Sequence, residues 1–198
     1  MNREPGGATL RLGAVWDDTS AAWRAFYPEG LPEDWRLPYY AQYWKDLLVP
    51  SLHWARHVSD QVWLDEVPED LSLYFEVPSS VRRANSAMQA LAEALGTRLG
   101  GFLLDHDDLP VDPGLSAYAF TGAPFPPMPG ARGVAAYVGK VGSVLVVEPQ
   151  PGLSLRHRRE LLETLARTMP DRSQPLFLRC GPEELEEAET MLRLAGLS

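Results

Sequence analysis

A chain of 198 residues with 45% hydrophobic content is long enough to bury a core as one domain, and 23% charged residues is ordinary for a globular protein. The net charge of -9, with only Lys45 and Lys140 accompanying the arginines, argues against a nucleic-acid partner, since neutralising phosphates takes clustered Lys and Arg. A single cysteine, Cys180, rules out an internal disulfide and a Cys-based zinc site, and no apolar run approaches the ~20 residues of a membrane-spanning helix.

Residues 1–8 read as a loose tail without a charged-then-apolar leader, so a cytoplasmic location is expected. Thr9 to Val15 is a short apolar run and the first expected strand. Thr19 or Ser20 then caps a helix over Ala21 to Phe26, ended by Pro28 and Gly30. The spacing of Leu37, Tyr40, Trp44, Leu47 and Leu48 predicts a helix from Trp35 to Leu48, and Val49 to Trp54 reads as a second strand. Ser59 to Val67 suggests a short helix with Val62, Trp63 and Val67 on one face. Leu71 to Val77 is a strand, and Ser79 or Ser80 caps a helix that Gly96 stops after Leu95.

Gly100 to His106 is the next expected strand. From Asp107 to Gly130 six prolines and the lack of any helical period predict a long irregular loop, which in a compact domain is functional or mobile. Two apolar runs then flank Lys140 to Gly142; so short a gap cannot hold a parallel crossover, so 134–148 should be an antiparallel hairpin. Ser154 to Met169 is a helix with Leu155, Leu161, Leu162 and Leu165 inward, Pro175 to Cys180 a last strand with Cys180 buried, and Pro182 opens a helix running to about Ala195. The alternation of strand and helix argues for one α/β domain, a sheet or barrel of mostly parallel strands.

The stretch from Gly13 to Ala41 carries Gly13, Trp16, Trp23, Phe26, Tyr27, Pro28, Leu31, Pro32, Tyr39, Tyr40 and Ala41 in an order and spacing that resemble the domain-of-unknown-function 72 family, also called YecE-like. Val67 to Val81 and Leu95 to Pro110 continue the likeness, and Val144 to Pro149 echoes it. The resemblance implies a TIM-barrel-type fold, here shortened and modified. It implies no reaction, since the family's activity is undefined. The chain also departs from the family's polar positions: Ala14 and Val15 replace a Thr-Ser pair, Glu76 a Lys, Ser79 an Arg and Asp105 a Gln, and a Glu-x-Asn has no counterpart. The expectation is therefore a binding or interaction protein that lacks the family's usual polar site.

In a parallel barrel, active groups sit at the C-terminal strand ends. That rule brings Trp16, Asp17, Asp18, Glu76, the Asp105 to Asp108 run and Glu148 toward one mouth. Trp16 and Asp17 behind the first strand, with Tyr27 of the Phe-Tyr-Pro turn, are ligand-binding candidates for an unidentified protein or small molecule. Asp105 and His106 are candidate ligands for a divalent metal, with Glu76 or Glu148 as base, in an alternative reading as a metal-dependent hydrolase or lyase. His53 and His57 stand four apart, the spacing of one helical face, but their segment reads better as a strand. All six tryptophans precede residue 64, and of these Trp44 and Trp63 fit the core best.

Overall fold

A computed structural model describes residues 10–78, 84–104, 112–121, 128–140, 142–168 and 175–197. The elements follow in order as β1 (Arg11–Val15), α1 (Ala21–Phe26), α2 (Arg36–Tyr40), β2 (Asp46–Val49), α3 (Trp54–His57), α4 (Gln61–Asp65), β3 (Ser72–Val77), α5 (Ala84–Leu95), β4 (Leu99–Leu104), β5 (Ala117–Phe120), β6 (Ala131–Gly139), β7 (Gly142–Pro149), α6 (Leu155–Thr168), β8 (Pro175–Leu178) and α7 (Pro182–Leu194). The eight strands close into a barrel in sequence order. Every neighbouring pair is parallel except β5–β6 and β6–β7, so β6 alone runs against the rest. The expected hairpin is therefore present and built into the barrel wall.

Period-two alternation sorts the strand residues into two packed clusters. Val15, Leu48, Tyr74, Leu103, Tyr118, Val146 and Phe177 fill the barrel interior. Their neighbours in sequence, such as Ala14, Leu47, Phe75, Leu104, Val147 and Leu178, point outward and pack with the helix residues Leu37, Met88, Leu91, Leu161, Leu165 and Leu185. Four large rings inside so narrow a barrel, those of Tyr74, Tyr118, Tyr137 and Phe177, need room from the opposing backbone. At Gly13 a Cβ would stand 2.4 Å from the Asp46 carbonyl oxygen and 2.7 Å from the Phe177 ring, and at Gly100 it would stand 2.1 Å from the Tyr74 ring. Glycine at these two places is what lets Phe177 and Tyr74 occupy the centre.

Several expectations are corrected by the tertiary structure. The helix expected over Trp35 to Leu48 stops at Tyr40, and Asp46–Val49 is strand β2, fully buried. Leu47 and Leu48 are buried as strand residues on opposite faces, which a helical stripe also accounts for, so spacing misplaced the boundary. The strand expected over Val49 to Trp54 is instead a 3₁₀ turn, Ser51–His53, running into α3. Within the region expected to be irregular, Ala117–Phe120 forms β5, because its Tyr118 completes the interior between β4 and β6. Val62 and Leu155 face outward, 70% and 63% exposed, rather than joining their helices' buried stripes. Residues 1–8, Ser79, Ser80 and, of the expected loop, 107–111 and 122–127 lie outside the described residues.

Tyr40 shows how the opening signature serves the fold. Its hydroxyl donates to the Asp46 carbonyl at 2.8 Å and accepts from the Ala14 amide at 3.0 Å, tying the helix to β1 and β2 at once. Burial pushes this phenol well above its ordinary pKa, so it stays a neutral donor. Trp23, Phe26 and Trp44 pack around it with ring centroids 5.3 to 6.0 Å apart. Among the described residues no helix is long and apolar enough to cross a membrane.

Candidate functional site

The carboxyl ends of the parallel strands leave a cavity of about 520 Å³ at the barrel mouth, within the ~300–1,000 Å³ usual for small-molecule sites. Val15 ends β1 and Trp16 follows it, Pro50 and Ser51 follow β2, Glu76 is the last residue but one of β3, and Arg179 follows β8; all line it. The cavity exists because strand ends in such a barrel point their last inward side chains into solvent, where no further strand layer covers them.

Glu76 and Arg179 form an ion pair across this opening, from β3 to the residue after β8. The second carboxylate oxygen of Glu76 accepts from the Ser51 amide at 3.3 Å. Asp17 accepts from the Thr19 amide at 3.1 Å, the Thr19 hydroxyl at 2.6 Å and the Ser20 amide at 3.1 Å, an Asx turn that starts α1 in place of the hydroxyl cap expected there. Asp18 binds Arg56 at 2.8 Å and stands 3.7 Å from the His53 ring nitrogen.

Behind the mouth, α3 carries His57 inward. Its ring lies over Trp63 with centroids 4.2 Å apart and meets the edge of Trp16 at 6.0 Å. His57 is 3% exposed, and neither ring nitrogen has a hydrogen-bond partner among the described residues. Desolvation, helped by the nearby Arg56 and His53, lowers its pKa to about 4, so the imidazole is neutral. The four-residue spacing of His53 and His57 is thus realised on helical backbone, with ring centroids 6.2 Å apart, contrary to the strand reading.

The structure separates the residues singled out from sequence. Trp16, Asp17 and Glu76 share the mouth cavity. Tyr27 lies off it, lining a cleft of about 20 Å³ together with Trp16, Asp17 and Arg36. Its ring is 5.5 Å from the Arg36 guanidinium carbon, and burial raises its hydroxyl to about 12. Glu148 is at the same end of the barrel but pairs with Arg132 at 3.5 Å and does not line the cavity. Asp105 and His106, the candidate metal pair, lie outside the described residues. Among the described residues no three His, Cys, Asp or Glu side chains gather closely enough to hold a metal ion.

Arg179 and Ser51 were missed by sequence reasoning. The available signal was the strand-end rule itself: in PLFLRC the strand ends at Leu178, so Arg179 is the polar residue presented at the mouth. Cys180 lies one place further on, half-buried on the cavity wall, with burial raising its thiol to about 12. It is therefore a protonated wall residue and a poor nucleophile. Comparison with family models, with curated proteins and with solved structures finds no match to this chain.

Proposed function

We propose that this chain is a divergent, shortened barrel of the YecE-like, TIM type, and that it acts as a binding protein for a small molecule held at the mouth. Support for the family reading is the Gly13 to Ala41 signature, in which Gly13 admits Phe177 and Tyr40 ties β1 to β2. The observation that carries the binding reading is the cavity of about 520 Å³, whose wall joins the indole of Trp16 to the polar groups of Ser51, Glu76 and Arg179. The carboxylates Asp17 and Glu76 are engaged by backbone amides and a guanidinium, which favours recognition over proton transfer by either. The metal-dependent alternative rests on Asp105 and His106, and no described contact favours it.

The test is a thermal-shift screen of a mixed small-metabolite panel against the wild type and Thr19→Trp, which fills the cavity from an exposed position. Ligands that raise the wild-type Tm and leave the variant unmoved support a mouth site. A panel that moves neither protein, or both equally, overturns it.

A further inference from the structure

Among the described residues lining the mouth, Glu76 and Arg179 form a neighbouring pair of opposite charge, with the carboxylate of Asp17 beside them. Glu76 and Arg179 touch across the opening, with side chains 12% and 39% exposed, so both still meet solvent on the cavity side. Asp17 beside them is held by its own turn, and Asp18 is held between Arg56 and His53. A simple anion approaching Arg179 would meet Glu76 at nearly the same distance, and a simple cation approaching Glu76 would meet Arg179. In both cases the nearest attraction is opposed by a nearby repulsion. A molecule carrying both charges a few bonds apart avoids that opposition, since each of its ends meets the opposite member of the pair. Beside the pair, Val15, Trp16, Pro50 and Leu52 supply an apolar wall, and Leu52 is 83% exposed at its rim.

We infer that the mouth takes a small zwitterion of the α-amino-acid class. Its carboxylate lies against the guanidinium of Arg179, its ammonium against the carboxylate of Glu76, and an apolar substituent against Trp16. Arginine suits the first role because its planar fork meets a carboxylate with two parallel hydrogen bonds. The ligand loses little by entering, because the protein pair it joins is already partly desolvated and already oriented by the Ser51 amide on Glu76.

This inference rests on the mouth being a binding site, and the experiment separates the two. Isothermal titration of the wild type uses three probes of equal apolar size: leucine, N-acetylleucine, which lacks the cation, and leucinamide, which lacks the carboxylate. Leucine is expected to bind at least about tenfold more tightly than either, a gap that the Arg179→Gln variant closes while its Tm and circular dichroism stay near those of the wild type. Leucine binding no tighter than the two blocked probes overturns the zwitterion assignment. So does binding of leucine that is unchanged in Arg179→Gln. If the metabolite panel yields a ligand blocked by Thr19→Trp while leucine does not bind, the zwitterion assignment falls and the mouth site stands. If neither binds, both fall.

Discussion

At the N-terminal end of the barrel a half-exposed Arg11 reaches in to the buried carboxylate of Asp46; at the carboxyl end Glu76 meets Arg179 on the wall of a cavity. Asp46 has a side chain 2% exposed and takes two hydrogen bonds from Arg11, the one from Nε at 2.9 Å. Tyr74, Tyr118 and Phe177 fill the interior around this end. Glu76 and Arg179 make the same chemical pair, but on the wall of a cavity that they share with Trp16. The difference is one of surroundings: the carboxylate of Asp46 is shut away from solvent, and that of Glu76 borders a cavity.

The comparison predicts unequal costs. Arg11→Met leaves Asp46 buried without its cation, a change expected to cost about 3–5 kcal/mol at pH 8 in urea denaturation. Burial already raises the Asp46 pKa to about 6, against the pull of Arg11. The orphaned carboxyl therefore takes a proton in mild acid, and the cost should shrink at pH 5. Adding Asp46→Leu should recover most of the loss at either pH. A single variant as stable as the wild type at pH 8 would show that the lower end is not held by this pair.

The two buried titratable groups pull in opposite directions. Asp46, with a folded pKa raised to about 6, contributes stability that is complete below its unfolded value of ~3.9 and is lost as pH rises through about 6. His57, lowered to about 4, contributes stability that is complete above its unfolded value of ~6.5 and is lost as pH falls through about 4. His57→Phe should therefore gain roughly 2–3 kcal/mol relative to the wild type between pH 6.5 and 4. A constant difference across that window would mean that folding does not lower the His57 pKa.

Smaller effects follow from packing and from the exposed pair. Gly13→Ala drives a methyl into the Asp46 carbonyl and Phe177, and should cost about 1–3 kcal/mol by chemical denaturation. Arg179→Gln should cost less than ~1 kcal/mol, as expected of a part-exposed ion pair, while removing ligand binding. A large stability loss in Arg179→Gln with binding intact would erase the contrast between the two ends.

What residue order conveys about this protein is local. Alternating apolar runs mark six strands near their true limits, and the short link around Lys140 requires the antiparallel turn of β6 into β7. Gly181, Pro182 and the acidic first turn open α7 by capping and dipole effects that act within a few residues; the Glu184 side chain reaches back to the Gly181 amide at 3.0 Å. Where one pattern fits two structures, the sequence is silent. Leu47 and Leu48 satisfy a helix or a buried strand, and only pairing with β1 and β3 makes them β2. The interior place for Tyr118 exists only once β4 and β6 stand on either side of it.

The site divides in the same way. Trp16, Asp17 and Glu76 could be found because strand ends point at a mouth, and a strand end is visible in sequence. The partner of Glu76 lies 103 residues away, and the opening they share is set by how far the barrel's closure carries β3 from β8. Local order determined which groups reach the mouth. Closure decided which of them meet, because distances across a barrel depend on the pairing of all eight strands and not on any segment alone.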